Sequence, residues 1–317
     1  MWKASLRIGF ALLVVLAGRR AVFAEEGAIG HYMPGANASF IDELPGYPTF
    51  AAEDVFMYYG GNVSGSRQLP VGGFTALGLN ANSYADSLVA FYETPLQLFG
   101  GLYAAGLAVP YVWVEAKATV ITPNGFTTKR DTANGVGDIA LLPFMLGWTN
   151  GPDWKYDVRL SIYAPSGEYS VGSLANVGLN YWTFSPEVTL AYFGSKNGFE
   201  ATMFMGVDFN TINHATHYQS GDDFHIDGTV AEHLPLLGGV VGLGANAFYY
   251  QQITGDSGPG AVLGSFYGET VGIGPVFSYI RKIGKANLAA EVKWLPEIDV
   301  KNRLQGNYVW FKLGLVF

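Results

Sequence analysis

Four of the five histidines in this chain fall close together, and they are its best candidates for chemistry. His214 and His217 form an H-x-x-H pair, followed by His225 and His233. Imidazole nitrogens bind zinc when both can point at one centre. Side chains three residues apart on a strand face opposite ways, so this pair suits a metal only on a helix or a loop. Without a metal, these are loop histidines between two strands. His233 beside a serine would suit a lipid hydrolase at the rim of a barrel, but no spacing brings a serine to it. No Gly-x-Ser-x-Gly elbow occurs. Gly242-Leu243-Gly244 and Gly272-Ile273-Gly274 precede no helix, so they do not cradle phosphate. The chain has no cysteine, which removes disulfides, thiolate nucleophiles and Cys-based metal sites. The sequence thus offers no catalytic residue, no metal site and no cofactor.

The elements that would carry these residues are more informative. Lys3 and Arg7 precede an apolar run at 8–18, which matches a signal-peptide core and is too short to span a bilayer as a helix. Val22-Phe23-Ala24 places small residues at −3 and −1, so residues 1–24 read as a cleaved export signal. Arg19-Arg20 lies after the apolar core, whereas a twin-Arg signal precedes it. Removing 1–24 takes away four basic residues and no carboxylate, leaving a net charge of −12. That balance argues against nucleic acid and against acidic substrates. No later apolar run is long enough for a membrane helix, so any membrane role must use strands.

Strand-like alternation fills the rest. The clearest runs are 111–120, 154–163, 181–192, 200–210, 287–296 and 309–317, with weaker ones at 49–59, 71–80, 83–94, 135–149, 229–237, 239–252 and 270–280. The five clearest internal runs are nine to twelve residues long. A soluble strand averages about five or six, and a tilted strand needs roughly 9–11 to cross a bilayer. Turn signals separate them: Asn124-Gly125, Asn150-Gly151-Pro152-Asp153, Pro165-Ser166-Gly167, Ser195-Lys196-Asn197-Gly198 and Gly255–Gly260. The last run puts Val309, Phe311, Leu313, Leu315 and Phe317 on one face and ends on an aromatic, like the closing strand of an outer-membrane barrel.

The contents of the two faces point the same way. One carries Glu115, Lys117, Lys155, Asp157, Arg159, Glu187, Glu200, Asp208, Glu291, Lys293 and Lys312, in near balance of sign, as a narrow polar lumen would. The other carries Trp154, Trp182, Tyr192 and Trp294 near strand ends, as an interfacial girdle would. The fold class is therefore all-β, a transmembrane antiparallel barrel of about twelve strands, with fourteen as the alternative, because bacterial barrels carry an even number. Residues 49–317 form the barrel. Residues 25–48, rich in Gly, Pro, Asn and Ala, are either a disordered leader or a plug in the lumen.

Within that frame, several segments resemble the "protein involved in meta-pathway of phenol degradation" family. They are Gly135-Val136-Gly137-Asp138-Ile139-Ala140-Leu141-Leu142-Pro143 with Gly147-Trp148, Tyr163-Ala164-Pro165-Ser166-Gly167-Glu168-Tyr169, Asn176-Val177-Gly178-Leu179-Asn180-Tyr181-Trp182, Gly272-Ile273-Gly274-Pro275 and His31-Tyr32-Met33-Pro34-Gly35. The resemblance implies an outer-membrane transporter related to the barrels that take up toluene and long-chain fatty acids, and it supplies no catalytic residue. The expected function is passage of small hydrophobic or aromatic compounds without catalysis. A structural or adhesion barrel and a barrel lipid hydrolase are the alternatives. The partners would be outer-membrane lipid and lipopolysaccharide, the barrel-assembly machinery and the solute, with no nucleic acid. The residues expected to line the lumen and meet a ligand are Tyr111, Trp113, Phe204, Asp208, Asn246, Phe248, Tyr250, Gln252 and Trp310.

Overall fold

The computed structural model describes residues 26–63, 68–122, 125–265 and 267–317. The expected export signal at 1–24 and the Asn124 half of the Asn124-Gly125 turn lie outside the described residues. Strands dominate, in the order β1 (Thr49–Asn62), β2 (Gln68–Val71), β3 (Phe74–Leu98), β4 (Gly101–Thr122), β5 (Gly125–Val136), β6 (Ile139–Asn150) and β7 (Trp154–Ala164). They continue as β8 (Thr183–Phe193), β9 (Phe199–Asn210), β10 (Asp223–Leu236), β11 (Gly239–Gln252), β12 (Glu269–Ile283), β13 (Ala286–Lys301) and β14 (Gln305–Val316).

Twelve of these strands close an antiparallel barrel, and β14 returns to β1 in register from Ala51↔Val316 to Asn62↔Gln305. The other two, β2 and β5, pair only with β3 and β4 and extend the wall at one end. The expected runs 71–80 and 83–94 join in the 25-residue β3, which brings the sequence-based segments to twelve barrel strands. No helix among the described residues is long and apolar enough to cross a membrane.

The two faces have opposite chemistry. Phe50, Leu88, Leu107, Val188, Val230, Leu243, Phe277, Val292 and Phe311 point outward and are exposed. Glu187, Glu200, Asp208, Asp227, Glu291, Lys293 and Lys312 point inward and are buried. Burying charge inside while exposing apolar side chains is costly in water and favourable in hydrocarbon. The terminal strand follows this rule, with Phe311, Leu313 and Phe317 outside and Trp310 and Lys312 inside. Trp154, Trp182 and Trp294 are likewise exposed on the outer face.

The two ends differ in the length of their connections. At the end where β1 starts and β14 stops, β3–β4, β10–β11 and β12–β13 are joined by only two residues each. Phe99-Gly100 and Leu237-Gly238 have positive φ at both positions (51° and 80°, 56° and 71°), as the tightest hairpins require. Gly takes the second position without strain, whereas Phe99 and Leu237 pay a small backbone cost. The opposite end carries the long connections 165–182, 211–222 and 253–268.

The wall is uneven at one place. Leu102 to Ala108 of β4 pair with β6, but from Tyr111 onward β4 pairs with β5 instead. The ladder also slips between Ala104 and Gly106 and between Leu141 and Phe144, around Pro143, which has no N–H to donate. The loop 165–182 is tied to this junction, because Gly167 and Leu179 donate their backbone N–H to Asp138 (2.9 and 2.6 Å).

Candidate functional site

Residues 26–48 have only two short 3₁₀ turns, so most of their backbone polar groups need partners from elsewhere. The inward faces of the barrel strands supply them. Asp227 on β10 accepts the N–H groups of Gly35 and Asn37 (both 3.2 Å) and the Tyr32 hydroxyl. Glu200 accepts Phe40 N–H (3.0 Å) and Glu93 accepts Gly46 N–H (2.9 Å). Cations take the carbonyls. Lys293 reaches Gly35 and Asn37 (3.3 and 2.9 Å), Arg159 reaches Asp42 (2.8 Å), and Lys155 reaches Leu44 and Pro45 (3.0 Å each). Lys312 pairs with the Asp42 carboxylate. The balanced charges of the inner face are therefore spent largely on this segment.

Its path follows from its ends. Glu26 meets Tyr169, Asn213 and Thr216 in the long loops, and Gly46 meets Glu93 and Thr149 near the short-turn end. The segment therefore runs the length of the lumen. His31 is held between Thr183 and Asp138 (2.7 and 3.0 Å) and stacks on Tyr163. Burial sets the protonation of this segment. It raises Glu26, and together with Asp157 it raises Glu43 well above the usual carboxylate range. Burial would also raise Asp42, but Lys312 and Lys293 outweigh it and hold this carboxyl below its ordinary value. Burial and the neighbouring Asp227 keep Tyr32 a neutral hydroxyl donor.

The segment leaves open space on one side. An upper cavity lies against Tyr59, Leu79, Ala81, Val114, Ala116 and Leu174. A middle one is lined by Met33, Met57, Ala85, Val112, Val177 and Trp310, among others. A lower one reaches Val55, Val89, Leu142, Glu53, Arg159 and Lys312. The upper and middle cavities share Ile29, Ser83 and Val114. The middle and lower ones share Met33, Ser87, Ala108 and Trp310. Together they form a path along β3, β4 and β6, floored by the buried cluster of Leu44, Ala104 and Met145.

Of the residues expected in the lumen, seven face inward. Phe204 and Trp310 line the cavities. Phe204 also stacks near Tyr32, whose ring lies 3.6 Å from that of His225. Asp208 accepts from Ser185 (2.5 Å), Asn246 donates to Thr229 (2.8 Å), Gln252 bonds Asp256 (2.6 Å), Tyr250 lies under Arg303, and Phe248 packs edge-on to Tyr308. These five pack in the wall and line none of the three cavities above.

Tyr111 and Trp113 are corrected: both face outward, 39% and 42% exposed, and stack on each other. Glu115 and Lys117 lie on that same outer side, where Glu115 pairs with Arg130 of β5. The upper half of β4 forms a hairpin with β5, and its inner face is Val112, Val114 and Ala116. Assigning the polar face to the lumen fails on this strand, because here the lumen face is the apolar one. Missed altogether were Met33, Met57, Ala85, Ala108 and Ala140. The available signal was the run of small residues Ala81, Ser83, Ala85 and Ser87 at every second position of β3.

His214 and His217 are exposed in the 211–222 loop, and no group of three potential metal ligands forms among the described residues. His233 turns inward onto Glu200 (2.6 Å), away from any outward serine.

Comparison with known proteins places this architecture. Residues 64–313 match the family model described as "Putative MetA-pathway of phenol degradation". The chain belongs to that family. Its fold is similar to the COG4313 outer membrane channel from Pseudomonas putida F1, with a TM-score of 0.65 at 12% identity, over 90% of this chain and 100% of that one. Weaker likenesses are the β domain of the Bordetella autotransporter BrkA (TM-score 0.42, 12% identity, 85% and 98% covered) and the translocator domain of NalP from Neisseria meningitidis (0.44, 10%, 85% and 88%). No curated protein matches the sequence. The phenol-degradation motif has a structural role in this chain: its Asp138 bonds His31 of the inner segment and two backbone N–H groups of the 165–182 loop.

Proposed function

We propose that the chain is an outer-membrane channel that passes small hydrophobic or aromatic solutes without altering them. The observation that carries this reading is the path of linked cavities along β3, β4 and β6, apolar over its upper two-thirds. Apolar walls with a few polar groups suit small ligands of that chemistry. The outward apolar belt supports a bilayer setting, and by the asymmetry of outer-membrane barrels the two-residue turns would face the periplasm. A solute would enter beneath the long loops, move past Met33 and Trp310, and leave once the floor at Leu44 gives way. In this reading residues 26–48 are a plug, and export through a cleaved signal precedes assembly.

The family description and the fold of the Pseudomonas putida channel both support this reading. The barrel hydrolase is disfavoured because His233, its candidate base, is committed to Glu200 inside the lumen. The test is uptake of labelled aromatic and fatty-acid solutes by cells with and without the gene. Faster uptake of at least one solute in cells carrying it is expected. Identical uptake across the panel would refute the channel.

A further inference from the structure

The hairpin of β4 and β5 rises from the wall on the side of the long connections, and its outer face changes character along its length. At its foot Tyr58, Tyr84 and Trp113 form one aromatic row across β1, β3 and β4, with Tyr111 against Trp113. Such a row marks the level where hydrocarbon gives way to headgroups. Farther along β4 comes Lys117, and directly opposite it on β5 is Arg130. Both are exposed. Like charges directly across a ladder repel, so the strands alone give no reason for this pairing. Glu115 accepts a hydrogen bond from Arg130, but the two side chains are 43% and 64% exposed, and such a pair is worth little. Lys117 forms no ion pair among the described residues. The other described cations at this end are spent: Lys129 on Asp131, Lys301 on Glu269, and Arg303 over the Tyr250 ring.

Resting on the outer-membrane orientation of the proposed channel, we propose that this face binds the phosphorylated headgroup of outer-leaflet lipopolysaccharide. Four residues of strand, from Trp113 to Lys117, rise about 13 Å, and the tilt of barrel strands brings this to about 10 Å above the aromatic row. The headgroup layer is about 5–8 Å thick on each side of the hydrocarbon, and Lys and Arg side chains lean into it from just above. A phosphate between Lys117 and Arg130 turns their repulsion into charge-assisted hydrogen bonds, and Arg offers it a fork of donors. Asn80 of β3, paired with Lys117 on its other side, and Thr128 and Thr132, flanking Arg130 on the outer face of β5, add neutral donors. The same strand links lipid to loop. Alternation puts Arg130 outside while Lys129 and Asp131 face inward and hold Gly172 and Leu174 of the 165–182 connection. A lipid bound outside therefore steadies β5, which pairs with β4 alone among the described strands, and with it the Leu174 cover of the upper cavity.

The test is native mass spectrometry of the purified full-length protein titrated with diphosphorylated lipid A, its dephosphorylated form and phosphatidylglycerol. Diphosphorylated lipid A should bind about tenfold tighter than either of the others. Lys117→Gln combined with Arg130→Gln should remove that preference. Lys301→Gln, a cation at the same end but away from the hairpin, should leave it intact. Heat-modifiable gel migration shows whether each variant is folded, and the three wild-type titrations decide the matter without them. Equal binding of the dephosphorylated form, a preference that survives the double variant, or phosphatidylglycerol binding as tightly as lipid A overturns the proposal. Orientation is checked separately. The chain has no cysteine, so Thr128→Cys puts a single thiol on the hairpin, and a membrane-impermeant maleimide should label it on intact cells. Labelling only after lysis refutes the orientation, and the inference falls with it. Labelling of intact cells without a preference for phosphorylated lipid A refutes the inference alone.

Discussion

The lumen has two unlike halves. The inner faces of β8 to β10, β13 and β14 carry Glu187, Glu200, Asp227, Lys293 and Lys312, and Asp227, Glu200 and the two lysines hold residues 26–48. The inner faces of β3, β4 and β6 carry Ala85, Val89, Ala108, Val112 and Ala140, and beside them the space is empty. Buried charges and backbone groups demand partners, so residues 26–48 pack against the polar half, where Glu187 and Lys312 also edge the lower cavity. Small apolar side chains demand none, so the other half can stay open to a visiting solute. One barrel thereby anchors its own inner segment and keeps a passage next to it.

The most severe way to break this division is to remove the main anchor. Asp227 accepts three hydrogen bonds from residues 26–48, and Lys293 approaches the same stretch. Asp227→Ala leaves three donors without their acceptor, at about 1–3 kcal/mol for each buried group left unsatisfied. The segment should detach while the strands remain closed. Single-channel conductance should rise severalfold, and added protease should cut within 26–48. Unchanged conductance would show that the charged half is not the clamp.

The opposite half is tested by filling it. Ala108→Phe places a ring between the middle and lower cavities, both of which this residue lines. Solute flux should fall by about tenfold, the scale of a lost binding contact of about 1.4 kcal/mol. The segment should stay docked, with protease resistance unchanged. Lost flux together with a released segment would mean that the two halves are not independent.

This division also explains what could be read from the sequence. Where lumen and lipid faces differ in polarity, alternation alone placed the side chains correctly: Lys312 and Trp310 inside, Phe311 and Leu313 outside. On the upper half of β4 the polar parity faces outward beside β5 and the apolar one lines the lumen, so the same rule put Tyr111 and Trp113 on the wrong side. β5 escaped notice because Gly125–Val136 is polar on both faces and lies outside the closed barrel, pairing with β4 alone among the strands. The partners of 26–48 could not be read at all. Apart from Glu93, 47 residues from Gly46, those named lie more than a hundred residues away in sequence, and only closure of the barrel brings them together.

A smaller change sharpens the picture at the floor. Leu44 packs in a buried cluster with Ala104 and Met145, below the lower cavity. Leu44→Ala removes that seal and should cost about 2–5 kcal/mol of local stability, as truncation of a buried leucine does. Because the anchors at Asp227 and Lys312 remain, the segment should stay in place while flux rises two- to threefold, an increment of about 0.5 kcal/mol in the barrier. Flux that stays the same would move the exit elsewhere.

The subtlest effect is a pH dependence in which Glu26 and Asp42 respond in opposite senses. Glu26 is raised above its ordinary 4.5 by burial, so it binds a proton more readily when docked among Tyr169, Asn213 and Thr216 than when released. Docking at that end should therefore strengthen as pH falls from neutral toward about 5, and Glu43, raised in the same sense, strengthens the hold of the other end. Asp42 behaves oppositely: despite burial, Lys312 and Lys293 hold it below its ordinary 3.8. Its contribution is present above that value and is lost only as pH falls through the lowered one. Protease protection of 26–48 should thus rise modestly on mild acidification and collapse only in strong acid. Glu26→Gln should flatten part of the mild-acid rise and leave the strong-acid collapse where it was. If that variant instead shifted the collapse, Glu26 and Asp42 would be acting through one site, and the two ends of the segment would not be anchored independently.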